Sequence, residues 1–453
     1  MAVDLRNGNI KSLIFKLAIP AMLAQFVNVL YNIVDRIFIS NIPVIGETAL
    51  AGIGICAPIL IIISAFSYLS SLGGGPLMAI ALGRRDKEDA QNIFSTCVSL
   101  LFIISASLTI ILLLFLDPLL TLFGASANLL PYAHDYMTIY IGCCTIGLFA
   151  LGLNTFISSQ GFSKQAMISV SLGALTNIIF DYIFINVCGW GVRGAASATI
   201  LGQAVSLIYA ITFFLGKHTN VRLKIKFDFT KMKRILKLGF PLFIIGTTDG
   251  VIVIILNAVL QRFGGLEGDK LITVATIATA TFQIVALPLA GISSGCQSLL
   301  SYNLGAGQYG RVKKGLIWDF GFCFGFCLIM FTIFQLFPEP FAMIFSKDPE
   351  MIALSSKYIR IYTFGLLTLG FQYAATDALT ALAIPRPALF LSLHRNILCC
   401  ASAIILPFIF NAESAFFAEP IADILGGTMA IIVTFISVRS LFRSNNYYGW
   451  FNI

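Results

Sequence analysis

Charge is scarce in this sequence. Of 453 residues, 11% are Asp, Glu, Lys or Arg and 58% are hydrophobic, with a mean hydropathy of +0.91. A soluble domain carries roughly 25% charged residues, so a soluble globular protein is excluded. Histidine is scarcer still. His134, His218 and His394 are the only three, far apart in the chain, and with no Ser/Lys or paired-aspartate protease pattern at matching depth a membrane enzyme has no support. The ten cysteines, among them Cys97, Cys143, Cys144, Cys399 and Cys400, fall mostly inside apolar runs. They show neither a disulfide framework nor a metal-ligand spacing and read as small buried residues. A basic flank, short apolar core and small-residue cleavage site are also missing at the N-terminus, so no removable signal peptide is expected and the first helix would direct insertion itself.

What the chain has instead is apolar windows of about 20 residues or more, each long enough to cross a bilayer as a helix. Punctuation places twelve, near 12–39, 47–82, 92–116, 131–160, 164–187, 194–216, 234–262, 270–304, 314–336, 353–383, 387–410 and 416–440. The windows longer than the bilayer imply tilt or interfacial ends. With the N-terminus placed in the cytoplasm, 21 of the 29 Lys and Arg residues fall on the inner side and seven on the outer side, while Arg395 lies within a helix. That bias is the positive-inside pattern, and it puts both termini in the cytoplasm. The net charge of +8 is accounted for by topology, and no nucleic-acid partner is needed.

The longest polar stretch, "GKHTNVRLKIKFDFTKMKR" at 216–234, lies near the middle of the chain, and the punctuation repeats across it. "KLAIP" at 16–20 returns as "KLGFP" at 237–241, an offset of 221. Gly73 and Gly83 return as Gly295 and Gly305, and "SK" at 163–164 as "PR" at 385–386, all at 222. Three matches at offsets of 221 to 222, each at the same topological position, argue for duplication. The expected architecture is an all-α membrane protein of twelve transmembrane helices in two parallel six-helix repeats, with a central cavity between the lobes. The N-lobe would be 1–222 and the C-lobe 223–453. Transporters of this construction bind substrate between the halves and alternate the open side.

The halves differ in their acids. Asp35 sits in the apolar run "NVLYNIVDRIFIS" with Asn28 and Asn32 on the same helical face. A charge at mid-membrane costs about 2.5–3.5 kcal/mol on insertion scales, so it needs a reason. The fifth helix carries "NIIFDYIF", with Asn177 and Asp181 at i, i+4. The repeat offset maps Asp35, Asn177, Asp181 and Thr199 onto Leu256, Cys399, Ala403 and Ile421, so none of the four counterparts is a carboxylate. Two carboxylates, an amide and a hydroxyl, all in the outer part of the membrane, suit a hard monovalent cation or a proton, and no soft ligand suggests a transition metal.

The whole chain resembles the multidrug and toxic compound extrusion (MATE) transporters, the bacterial and archaeal type. The likeness rests on the prolines of the first and seventh helices, "VDRIFI" at 34–39, "ETALAGIG" at 47–54, the glycine-bounded cytoplasmic loops, and "NIIFDYIF" followed by Thr199. The resemblance implies an N-lobe cation-coupling site of Asp35, Asn177, Asp181 and Thr199, with sodium the possible metal. One branch of the family uses acids on the seventh and tenth helices. Here Asp249 lies near the first of these positions, but the second is Gln372, which favours coupling in the N-lobe. The resemblance further implies a multi-pass transporter of the plasma (inner) membrane, without catalytic residues or cofactor. It would export small organic cations, aromatic and lipophilic, in exchange for sodium or protons, and so contribute to antibiotic resistance. We expect a monomer, and a substrate cavity lined by Asn28, Asn32, Asn154, Asp249, Gln283 and Gln372.

Duller roles compete at several positions. Asp35 could form an interfacial ion pair with Arg36, and Asn177 and Asp181 could simply bridge helices. Asp377 reads as interfacial, and Glu419 and Asp423 as solvated or paired with Arg395. The phenylalanines are mostly packing or lipid-facing, though some could hold aromatic cations. The runner-up function is a lipid-linked oligosaccharide flippase of the same superfamily. It would want a cationic central cavity, and these helices offer only Arg395.

The charge bias gives a direct test of orientation. Single cysteines placed in the 216–234 linker, in a background lacking native cysteines, should resist an impermeant thiol reagent applied to intact cells. Ready labelling from outside would reverse the topology.

Overall fold

In the computed structural model the described residues are 4–443, apart from 44, 124, 126, 127, 218, 266, 267 and 346. His218 and the C-terminal tail therefore lie outside them, as do the side chains of 47, 249, 253, 257, 268, 269, 442 and 443. The described chain is helical. In the first half α1 is Ile10–Ser40, α2 Gly46–Gly83, α3 Lys87–Leu114, α4 Leu116–Leu122, α5 Leu130–Gly142, α6 Cys144–Ser159, α7 Ser163–Asp181 and α8 Gly191–Leu215. In the second half α9 is Phe229–Phe263, α10 Gly268–Gly305, α11 Tyr309–Leu336, α12 Glu339–Met343, α13 Pro349–Tyr362, α14 Leu366–Ala381, α15 Pro385–Ile409 and α16 Ala418–Arg443. Ten helices among the described residues are long and apolar enough to cross a membrane, and the bent pair α5–α6 makes an eleventh. The pair α13–α14 occupies the remaining expected position, which completes the two-lobe, twelve-helix arrangement.

The membrane dictates what these helices show outward. Large apolar side chains such as Phe102, Ile110, Leu114, Ile397, Phe408 and Phe435 are exposed, which water would penalise and lipid does not. Where helices start at polar loops, side chains cap them. Asn9 accepts from the Ser12 amide, Asp86 from that of Asp89, and Asp228 from those of Thr230 and Lys231. Each cap satisfies amides that the first turn leaves without a partner.

Two windows expected to be continuous are broken. The fourth bends by 57° between Gly142 and Cys144, and the tenth is interrupted between Tyr362 and Leu366. Cys143 and Gly365, at the two breaks, are 222 residues apart. Backbone freed inside a membrane must find partners, and the long helix of the same half supplies them. Thr109 of α3 donates to the Ile141 carbonyl at 3.4 Å, and Gln335 of α11 donates to the Arg360 carbonyl at 2.9 Å. No proline marks either break, and the compensating side chains come from elsewhere in the chain, so local patterning did not show them.

The turns repeat as well. Arg85 and Gly307 both take positive φ (65° and 71°), as do Gly161 and Ala383 (85° and 56°), and both pairs are 222 apart. Arg and Ala in the left-handed region are costly, so a shared turn geometry is being kept against residue preference. Duplication is thus written in the backbone.

Glycines join the halves. A Cβ on Gly83 would lie 2.0 Å from the Tyr302 carbonyl oxygen, and one on Gly305 lies 2.0 Å from that of Ile80. Gly73 meets Ile235 and Gly239 of the second half, while its counterpart Gly295 meets Leu17 and Ala18 of the first. The repeated glycines therefore lie at a two-fold-related seam, at the end of the bundle that carries the linker. Gly83→Leu or Gly305→Leu should destabilise the closed seam by about 1–3 kcal/mol, the range for overpacking a tight contact. Gly321→Leu, at a glycine with open space around its Cβ position, should not. Thermal denaturation in detergent reads the difference, and equal losses at all three positions would contradict a seam.

Candidate ion-coupling site

Asp35 lies in the last third of α1, half-buried, and Asp181 is the last residue of α7, fully buried. The two carboxyls face each other. Immediately after Asp181 the chain changes winding into a π-helical turn, Tyr182–Val187, with Cys188 N–H donating to the Ile183 carbonyl at 2.8 Å. Such turns re-aim the residues beside them and are common at functional sites. The window 164–187 is therefore not one regular helix, and the irregularity begins at the acid.

Small residues position the rest. Gly173 of α7 and Gly202 of α8 meet face to face, a Cβ on Gly202 lying 2.5 Å from the Gly173 carbonyl oxygen. That approach lets the Asn177 amide donate to the Thr199 hydroxyl at 3.4 Å, while Thr199 donates to the Ala195 carbonyl at 3.1 Å. One turn deeper, Asn154 Nδ2 donates to the Ala150 carbonyl at 2.8 Å and to Ser206 Oγ at 3.0 Å. The fold thus brings Asp35, Asn177, Asp181 and Thr199 to one place from three helices.

The donor inventory is lopsided. Both Asp181 oxygens, Asp35 Oδ1 and Asn177 Oδ1 are buried without a hydrogen-bond partner among the described residues. Three of these oxygens belong to the two facing carboxyls, with the Asn177 side chain beside Asp181. In a low-dielectric interior this arrangement is costly unless a cation or proton sits among them. All-oxygen donors suit a hard ion, so the set fits sodium or a proton. No group of three or more His, Cys, Asp or Glu side chains poised for a metal occurs among the described residues.

Other expected residues fall elsewhere. Asn28 and Asn32 share the Asp35 helix, but Asn28 donates to Gln25 Oε1 at 3.1 Å and Asn32 to the Asn28 carbonyl at 2.7 Å. Neither is joined to the carboxylate. No Asp35–Arg36 ion pair forms among the described residues, and Arg36 is exposed. Gln283 is exposed on α10. Gln372 is buried, donates to the Leu391 carbonyl at 3.0 Å, and leaves its Oε1 without a partner. The side chain of Asp249 lies outside the described residues. Two tyrosines join the site: Tyr31 and Tyr136 both face Asp35, and Tyr136 also faces Thr199. Tyr31 stands four residues before Asp35, a spacing that marks a shared face. Tyr136 reaches the site from α5, and nothing local points to it.

The second half carries charge at the corresponding place after all. Matching residues one to one finds no acid there, yet Glu419 and Asp423 lie two residues either side of Ile421, and both are buried. Arg395 of α15 pairs with Glu419 and with Asp423, the latter at 2.7 Å. Cys399, the counterpart of Asn177, donates to Glu419 Oε2 at 3.2 Å. Glu419 and Asp423 are therefore paired but not solvated. Where the first half leaves two carboxyls open, the second closes them with a tethered guanidinium.

A helical bundle of two repeats, with an acid pair in one half and a cation-filled counterpart in the other, defines a multi-pass membrane transporter. Solved structures share the fold. A multidrug resistance MATE family transporter of the MOP superfamily, in an outward-facing conformation, matches with a TM-score of 0.90 at 23% identity, covering 98% of this chain and 99% of that one. A MOP superfamily transporter from Pyrococcus furiosus matches with a TM-score of 0.90 at 22% identity, over 98% and 100%. The MatE family profile matches residues 20–183 and 250–405, and the chain belongs to that family. Among its relatives are an FAD transporter of Shewanella oneidensis, 25% identical over 93% of this chain and 94% of that one. Another is the multidrug export protein MepA of Staphylococcus haemolyticus, 23% identical over 92% of each.

The guanidinium pairing can be tested alone. Arg395→Met leaves two buried carboxylates without a counter-charge and should cost about 3–5 kcal/mol of stability. Adding Glu419→Gln and Asp423→Asn should restore most of it. Denaturation in detergent that ranks Arg395→Met level with the parent would show that the ion pair is not formed.

Proposed function

We propose that this protein is a secondary active multidrug efflux antiporter, exporting organic cations in exchange for sodium ions or protons. The observation that carries the reading is the Asp35–Asp181 pair, with its unpartnered oxygens beside Asn177 and Thr199. An ion bound there neutralises the site and favours one arrangement of the first-half helices, and substrate favours the other. Reciprocal coupling then drives exchange without any covalent step. The glycine seam, on the cytoplasmic side by the Lys and Arg count, is the part that must open. Residues 1–222 and 223–453 would act as the two lobes, with lipophilic cations held between them and Gln283 and Asp249 contributing from the second lobe. The likeness to MepA supports drug cations as the cargo. The likeness to an FAD transporter favours a second reading, export of a flavin dinucleotide.

Proteoliposomes loaded with ethidium or with FAD, with sodium and pH varied separately, distinguish the two. Ethidium export driven by one of the ions is the expected result. Asp35→Asn preserves volume and hydrogen bonding and is cheaper to insert, so the variant should fold. Its ion-driven export should drop by about five- to 150-fold, the range of a coupling free energy of about 1–3 kcal/mol. Asp181→Asn should behave the same, and the double variant should be no worse, because the two groups form one site. A folded Asp35→Asn protein with unchanged ion dependence would rule out coupling at this pair.

A further inference from the structure

A second acid pair lies in the other half of the molecule and at the other depth. Asp319 is the eleventh residue of α11, at the end of its third turn, and fully buried. Asp377 is on the last turns of α14, half-buried. Both are close to the linker end of their helices, whereas Asp35 and Asp181 lie toward the opposite end. The helices α10, α11 and α14 pack against one another and enclose the pair.

Among the described residues no counter-charge acts on Asp319. The groups facing it are Cys296 of α10, Cys323 on its own helix and Asp377 of α14. Cys323 Sγ donates to Asp319 Oδ1 at 3.7 Å. Asp319 Oδ2 is buried without a partner among the described residues. On the preceding residue, the Trp318 ring carries the Lys11 ammonium of α1, 5.1 Å from its centroid. No Lys or Arg is among the groups that act on Asp319. Asp377 is better served: Ser293 Oγ donates to Asp377 Oδ2 at 2.6 Å, and Gln297 faces it.

The repeat supplies an independent reason to single these residues out. Subtracting 222 from Asp319, Asp377, Ser293 and Gln297 gives Cys97, Thr155, Ser71 and Gly75. The first-half counterparts contain no acid, and Cys97 there sits in ordinary apolar packing. Two acids have therefore been set into the second repeat where the common framework does without them. This is the same asymmetry that marks Asp35 and Asp181 in the first.

A lone carboxylate sealed among thiols and facing another carboxylate has neither solvent nor cation to stabilise it. A neutral carboxylic acid suits the place, since its O–H supplies the donor the site lacks. We propose that Asp319 and Asp377 form a second proton-binding site, with Asp319 holding the proton and Asp377, the less buried of the two, passing it to and from the linker side. The transfer moves a proton between two carboxyls and water, and needs no further reactant.

Infrared spectroscopy of the purified full chain in lipid nanodiscs tests this. The Asp35→Asn/Asp181→Asn background removes the first acid pair, so the result does not depend on the coupling reading. A protonated-carboxyl band should remain in that background, disappear with Asp319→Asn and shift with Asp319→Glu. It should follow bulk pH reversibly, and Asp377→Asn should leave the band but slow its response. A band that survives Asp319→Asn, one that never responds to pH, or one that sodium alone abolishes would each overturn the proposal.

Discussion

A bilayer gives a buried carboxylate no water, and the placement of acids in this protein follows from how each is compensated. In the first half Asp35 and Asp181 face one another with oxygens left open. In the second half the corresponding position is filled by Arg395, held by Glu419 and Asp423. The two solutions are electrostatically parallel. One supplies its cation from a side chain, permanently, and the other leaves room for a cation that can leave. An exchangeable charge is what a transporter needs, and a fixed one is what a scaffold needs.

The duplicated framework makes that division possible. Breaks at Cys143 and Gly365, left-handed turns at Arg85 and Gly307, and the seam glycines Gly83 and Gly305 all recur at one spacing. The seam lies at the linker end and the first-half acid pair toward the other, so on the proposed reading ion binding acts at one depth on a bundle that opens at another. The π turn after Asp181 is the local irregularity through which occupancy could reach the helix backbone.

Much of this was legible in the sequence, for physical reasons. Hydropathy exposes membrane helices because the bilayer forbids polar spans. Glycine repeats at a fixed spacing record duplication. Asp35, Asn177, Asp181 and Thr199 stood out because acids and amides are rare in such helices. The hidden features depend on distant partners. Thr109 and Gln335 permit helix breaks that local pattern cannot show, and Tyr136 joins the site from a helix a hundred residues beyond Asp35. Position-by-position matching of the halves missed Glu419 and Asp423, since a residue two places off can turn into the same pocket. Asn28 and Asn32 mislead in the opposite way, sharing a face with Asp35 while bonding along their own helix.

On the proposed reading, ion and substrate compete through Asp35 and Asp181. The most direct measurement of that competition is the number of protons released, or sodium ions displaced, when a lipophilic cation is added to the purified protein in lipid nanodiscs. Release in proportion to drug bound, and its loss in Asp35→Asn with drug binding retained, is the predicted result. Drug binding that displaces no ion from the parent protein, at any pH or sodium concentration tested, would contradict the account.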